Sequence, residues 1–401
     1  MLINSEKIPI KIWADDVEDS AMEQVKNLAN FPFAFHHVAI MPDVHTGFGM
    51  PIGGILATEK VVIPNAVGVD IGCGMCVIKT PLKTKDLSID LLKKIFANIR
   101  QTIPVGFKKH KTAITPKGVP RNIFQKKMFT KGKNKIINQE LNSAEYQLGT
   151  LGGGNHFIEF QKDEKKNIWI MVHSGSRNLG FQVAKYYNDL AKKLNKNYEI
   201  KIPEKWDLNY LFIDSKEGKD YLGEMNYCVD FAYENRKLII ELVIEVLIDV
   251  LKKNKIKLLK KDFSKLINVA HNYARVENHF GKKVIIHRKG ATSAKKNELG
   301  IIPGSQGSAS YIVKGKGNKE SFNSCSHGVG RKMSRTGARE NLNLEEEKNK
   351  LDKLGIIHGI RNQKDLDEAS GAYKDINEVM KNQKDLIEIV EKLTPIGVIK
   401  G

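Results

Sequence analysis

The chain has 401 residues, 41% of them apolar, which is ample for a well-buried core. Its 65 Lys+Arg against 46 Asp+Glu leave a formal net charge of +19, a surplus that suits a polyanion such as nucleic acid, because each neutralised phosphate releases counterions. No apolar run is long and uncharged enough to span a bilayer, the N-terminus lacks a signal-peptide pattern, and four cysteines are too few for a disulfide framework, so a cytoplasmic protein is expected.

In chain order, the short apolar runs Ile8–Trp13, His37–Met41, Gly54–Thr58 and Met75–Ile78 read as strands broken by Gly and Pro. Ser88 is placed to cap a helix running to about Ile103, with Leu91, Leu92, Ile95 and Ile99 on one face. From Lys108 to Gln139 there are ten Lys/Arg and no acidic residue, with Phe124 and Phe129 interleaved. This reads either as a basic insertion guiding a single strand or as a solvated loop in a lysine-rich chain. Lys219 to about Lys253 reads as the longest helix, with Glu241, Glu245 and Asp249 as its polar stripe. The expected fold class is mixed α/β (α+β), without the regular strand–helix alternation of a doubly wound sheet.

Five segments carry residues suited to chemistry. In the first, Asp70 and Cys73 lie three apart on a Gly-rich bend, with Cys76 completing a Cys-x-x-Cys pair. A zinc ribbon needs a second such pair, and a thioredoxin-like motif needs a helix where Val77 and Ile78 continue as strand. Taken alone, the segment reads as a buried turn. The others are Gly152-Gly-Gly-Asn155-His156-Phe-Ile-Glu159, His173-Ser-Gly-Ser-Arg177, Ala270-His271-Asn272-Tyr273 and Ser326-His327-Gly-Val-Gly-Arg331-Lys-Met-Ser-Arg335.

Three imidazoles, an Asp and a Cys at tight turns can together hold one or two divalent ions, with a thiolate able to bridge them. If a helix begins near Gly330, Arg331 and Arg335 share a face and its amides point towards His327. Residues alone leave His327 open between a phosphate-attacking nucleophile and a metal-binding or structural histidine. Only 10 of the basic residues are arginine, which makes Arg177, Arg288, Arg331, Arg335 and Arg339, all in Gly/Ser/His-rich stretches, the candidates for gripping phosphate.

These segments, with Met41-Pro-Asp-Val-His45-Thr-Gly, Gly68-Val-Asp-Ile-Gly-Cys73, Arg288-Lys-Gly-Ala-Thr, Ile302-Pro-Gly-Ser-Gln-Gly and Gly397-Val-Ile-Lys400-Gly401, closely resemble the RtcB family of RNA-splicing ligases, in the family's order from about Met41 onward. The resemblance implies a single RtcB-type domain over 1–401, with a basic insertion at about 108–139 and a central cleft for metal and nucleotide. It implies a GTP- and Mn²⁺-dependent ligase joining RNA 3′-phosphate or 2′,3′-cyclic phosphate ends to 5′-hydroxyl ends, in tRNA splicing or RNA repair, with an archease-like activator as a candidate partner.

Asp70, Cys73, His156, His173 and His271 match the family's ligands for two manganese ions, and His327 matches the histidine that takes up GMP. Asn155, Glu159, Ser305, Ser310, Tyr373 and Lys400 match its GMP pocket, and Arg177, Lys289, Arg331 and Arg335 its RNA-phosphate path. Val329 stands where the family usually has Ala, and no Pro precedes Ala372-Tyr373. The competing class is a metal-dependent phosphoesterase acting on RNA ends. The chain lacks the Lys-x-Asp-Gly motif of ordinary ligases and a P-loop.

Overall fold

The apolar runs of the first hundred residues become strands of two large sheets in a computed structural model that describes residues 1–113 and 135–401. Most of the basic stretch 108–139 therefore lies outside the described residues. The six-stranded sheet runs Leu2–Ile3, Ile10–Ile12, Ala34–His45, Ile52–Thr58, Lys282–Lys289, Asn272–His279, with only the second and third strands parallel. The seven-stranded sheet is antiparallel throughout: Ile267–Ala270, Gly74–Lys83, Asn167–Ser174, Phe157–Lys162, Ile387–Lys400, Ser310–Gly315, Leu299–Ile302. This is a mixed α/β fold.

The helix Ile89–Thr102 starts where Ser88 Oγ accepts from the Leu91 amide at 3.2 Å, relieving one of the unpaired first-turn donors. Its apolar face buries Leu91, Leu92, Ile95, Phe96 and Ile99. Phe96 meets Phe160 edge-on at 5.2 Å, and Gly397 gives it room, since a Cβ there would come within 2.5 Å of the ring. Phe96→Ala would empty that contact and cost about 3–5 kcal/mol. The longest helix is Lys216–Lys253, three residues longer at its start than the apolar pattern suggested because Ser215 Oγ accepts from Gly218 N at 3.0 Å. Glu245 and Asp249 face outward while Leu238, Ile239, Val243 and Leu247 are buried.

Strand register positions the site. Gly74 stands abreast of both Ser174 and Ala270, Met75 and Phe157 both pair with His173, and Lys400 pairs with Phe157. Cys73, His156, His173, His271 and Lys400 therefore lie at the same end of five adjoining strands. His271 is the single residue between Ile267–Ala270 in one sheet and Asn272–His279 in the other, so it sits where the chain changes sheets. The short pair Ala291–Ser293 and Ser324–Ser326 presents His327 directly after its second strand.

Candidate active site

The five metal-type residues converge. Cys73, His173 and His271 form one group and Asp70, Cys73 and His156 another, with ligand atoms within 4.8 Å of each other in each group. Cys73 belongs to both. Its Sγ lies 3.4 Å from His156 Nε2 and 3.3 Å from His173 Nε2, and Asp70 Oδ2 is 3.1 Å from His156 Nε2. His173 Nδ1 donates to Asn155 O at 3.0 Å, a hydrogen bond that turns Nε2 towards Cys73 Sγ, as in metal-ligating histidines.

Glycine makes this packing possible at two points: a Cβ on Gly175 would meet Asp70 Oδ1 at 2.2 Å, and one on Gly152 would meet His156 Nδ1 at 2.3 Å. Burial drives His173 and His271 well below the usual imidazole range, which keeps them neutral, as ligation requires. Burial also raises the Cys73 thiol, aided by the nearby Asp70 charge, so its thiolate needs a cation beside it. Burial works against the Asp70 carboxylate as well, yet His156 holds it below the usual range. His156 Nδ1 and His271 Nδ1 are buried without partners among the described residues. This set of soft and borderline donors fits divalent transition metals. Cys76, by contrast, faces the core, with its Sγ 3.6 Å from Arg236 O.

His327 lies beside this cluster, its ring 4.7 Å from that of His271. Its Nδ1 is 2.7 Å from Asp43 Oδ2, which also accepts from the amides of His327 and Gly328 at 3.1 and 3.2 Å. Burial disfavours the Asp43 carboxylate, but the charge and hydrogen bond of His327 hold its pKa below the ordinary value. The arrangement fixes the Nδ1–H tautomer and leaves Nε2 without a hydrogen-bond partner among the described residues. Asp43 carries no assignment in the sequence reading. Its signal was the Met41-Pro-Asp-Val-His45 stretch directly after a strand's apolar run.

A cleft of about 820 Å³ opens from these histidines, and its walls include Asn155, Glu159, Ser305, Tyr373 and Lys400. Glu159 is buried and pushed up to about 8, by burial first, against the opposing effects of Gln161 and Lys400. Gln161 Nε2 donates to Glu159 at 2.5 Å and to Ser310 Oγ at 2.9 Å. Ser310 is wholly buried behind this wall rather than on it.

Glu368, on the turn Gln363–Glu368, is the residue sequence reasoning missed most plainly. Only 3% exposed, its carboxylate accepts from Tyr373 OH and lies 2.9 Å from Arg335 Nε, 3.3 Å from Arg331 Nη1 and 3.9 Å from Lys400 Nζ. Burial favours its neutral form, but Lys400, Tyr373 and the two arginines keep it below the usual range. One carboxylate thus gathers donors from Tyr373 and Lys400 on the cleft wall and from Arg331 and Arg335.

The expected helix from Gly330 is absent. Gly330 takes φ +72°, Arg331 bridges to Tyr373 in extended form, and helix begins at Arg335, where Ser334 Oγ accepts from Gly337 N. Arg331 and Arg335 still meet, but through Glu368 rather than along a helix face. Arg288 does not face phosphate. It is fully buried, with Nη1 2.5 Å from Glu277 Oε1 and Nε on Ser324 Oγ at 2.9 Å. Arg339 pairs with Asp367 at 2.6 Å. Arg177 sits behind the metal groups, with Nη2 on Gly106 O at 2.6 Å and Nε on Thr150 Oγ1 at 3.1 Å. Lys289 is 6% exposed, its ammonium donating to Phe48 O and Asn65 O at 2.5 and 3.0 Å, and burial pulls it down to about 7.

Among the described residues no helix is long and apolar enough to cross a membrane. Residues 24–401 match the model of the family described as tRNA-splicing ligase RtcB. The chain is 39% identical to the RNA-splicing ligase RtcB of Escherichia coli K12, over all of this chain and 99% of the relative. It is 33% identical to the tRNA-splicing ligase RtcB of Nanoarchaeum equitans and 31% to that of Thermococcus kodakarensis, in each case over 98% of this chain and 95% of the relative.

Proposed function

Since the chain belongs to the RtcB family, we propose that it is a single-domain RNA ligase using GTP and Mn²⁺ to join RNA 3′-phosphate, or opened 2′,3′-cyclic phosphate, ends to 5′-hydroxyl ends. The observation that carries this reading is His327, held through Nδ1 by Asp43 so that Nε2 is presented at the cleft beside the Cys73 cluster. The lone pair on Nε2 attacks the α-phosphorus of GTP, a P–N bond forms, the bond to the β-phosphate oxygen breaks and pyrophosphate leaves. Asp43 holds the Nδ1 proton and stabilises the positive charge that the ring gains. The RNA 3′-phosphate oxygen then takes the GMP group from His327, and the 5′-hydroxyl oxygen displaces GMP to form the phosphodiester.

Asp70, Cys73, His156, His173 and His271 would hold the metal, whose positive charge offsets the charge of phosphate oxygens. Glu159 would read the guanine edge, with Asn155, Ser305, Tyr373 and Lys400 around the nucleotide. Ser310 supports that wall from behind through Gln161. Arg331 and Arg335 would meet RNA phosphate, with Arg177 and Lys289 supporting the site from beneath. RNA is the partner class this assigns, and the cytoplasm the compartment. An archease-like activator belongs to the same reading.

A metal-dependent phosphoesterase would use the same ligands but has no task for the Asp43-oriented His327. Incubation with α-labelled GTP and Mn²⁺ followed by denaturation separates the two. The ligase retains acid-labile, alkali-stable label that His327→Ala abolishes, and no label on the wild-type protein would sink the proposal.

A further inference from the structure

Phe48 lines the cleft yet is largely exposed. It is 76% exposed among the residues lining the cleft that also contains His271 and His327, and Val69, another lining residue, is 52% exposed. A single exposed ring is ordinary on a protein surface; what marks this one is its place on the cleft and the rigid turn that holds it.

The turn beneath it is pinned from several sides. The carbonyl of Phe48 accepts from the Lys289 ammonium at 2.5 Å and from Met50 N at 2.8 Å. Gly47 is clasped by Gln24, which accepts from its amide at 3.1 Å and donates to its carbonyl. Gly49 takes φ +69°, and a Cβ there would meet Asp207 O at 2.7 Å, so only glycine closes the turn. The buried ammonium therefore serves to fix the backbone that carries an exposed ring. A rigid, preorganised aromatic face beside a cleft lined with Arg331, Lys332 and Arg335 is the combination that binds single-stranded nucleic acid by stacking a base while cations take the backbone.

We infer that Phe48 is a stacking platform for the terminal nucleobase of an RNA end held at the ligation site. This rests on the ligase reading and adds a contact that is independent of base identity, because every base has a π-face. The base stacks on the ring while Arg331 and Arg335 take its phosphate.

The test starts from wild-type and variant protein already carrying labelled GMP, so that the nucleotide step is scored separately. Ligation is followed against RNA concentration, with ordinary RNA ends and with ends whose terminal nucleotides lack a base. Phe48→Ala should raise the RNA concentration for half-maximal ligation about tenfold. Phe48→Trp should restore it and Phe48→Leu should not. Removing the terminal bases should weaken binding to wild-type protein by a similar factor and barely affect Phe48→Ala. An unchanged half-saturation in Phe48→Ala, or a full loss on base removal in both proteins, would overturn the inference. Wild-type protein that takes up no GMP would instead overturn the ligase reading.

Discussion

Glu159 offers the sharpest test of the nucleotide pocket. The ring N–H and exocyclic amine of guanine need an ionised carboxylate to accept both, yet burial places the Glu159 carboxyl at about 8. At pH 6.5 only about 3% of empty pockets carry the charge, and at pH 8.5 about three-quarters do. The GTP concentration that half-saturates labelling of His327 should therefore fall about twenty-five-fold across that range, and binding at pH 6.5 should release close to one proton.

The sign for stability runs the other way. Because the folded pKa is raised, this carboxyl's stabilising contribution is fully present below about 4.5 and is lost as pH climbs through 8, by an amount on the order of 5 kcal/mol in the nucleotide-free protein. Glu159→Gln has nothing to titrate, so its GTP profile should lose the wild-type slope. Its preference for GTP over ATP should drop about a hundredfold, because the amide sets an NH2 donor against one of guanine's two donors. Labelling with α-labelled GTP and ATP at several pH values, in both proteins, measures all of this. Parallel pH profiles, or an undiminished guanine preference in Glu159→Gln, would refute the assignment.

Cys73→Ser should abolish ligation and weaken metal binding. Cys76→Ser should leave ligation largely intact and lower the melting temperature, since its thiol packs in the core; equal loss of ligation in both, with folding intact, would contradict this. With a Cys/His/Asp site, Zn²⁺ should bind at least as tightly as Mn²⁺ and inhibit, so full ligation in Zn²⁺ alone would show the site is misread. Deleting Lys400 and Gly401, or Lys400→Ala, should raise the GTP requirement while leaving thermal stability nearly unchanged; wild-type labelling at sub-saturating GTP would count against it. Glu368→Gln should raise the half-saturating concentrations of both GTP and RNA, about tenfold each, because its donors serve both. An effect on maximal rate alone would assign it another role.

The metal-type residues were legible because Cys73, His156 and His173 stand beside glycine turns at strand ends and His271 follows an apolar run. Their convergence was not, since it depends on register: a one-residue slip of Phe157–Lys162 would turn His173's neighbour to the other face. Arg288 misled because its Gly-rich surroundings resemble a phosphate grip. Its partner Glu277 lies across the hairpin, a relation visible only once Tyr273 pairs with Arg288. The helix misplaced at Gly330 shows capping outweighing periodicity: Ser334 supplies an acceptor to the first turn, whereas Gly330 is held at positive φ against Asp43. Asp43, Gln161 and Glu368 are common residue types with no spacing of their own, and only burial beside a functional group marks them.

Strand order also carries a consequence for synthesis. Ile387–Lys400 is not an edge strand but the fifth of seven, zipped between Phe157–Lys162 and Ser310–Gly315. Until those residues leave the ribosome, four strands on one side and two on the other present unpaired edges, the kind of surface that recruits other chains. On the Phe157–Lys162 side, the contacts that close the gap join segments more than two hundred residues apart, the kind of pairing that forms slowly. The same strand delivers Lys400 to the cleft wall. On the ligase reading proposed above, a chain still in synthesis therefore cannot complete its guanine pocket before its sheet has closed, and consumes no GTP while it is still open to aggregation.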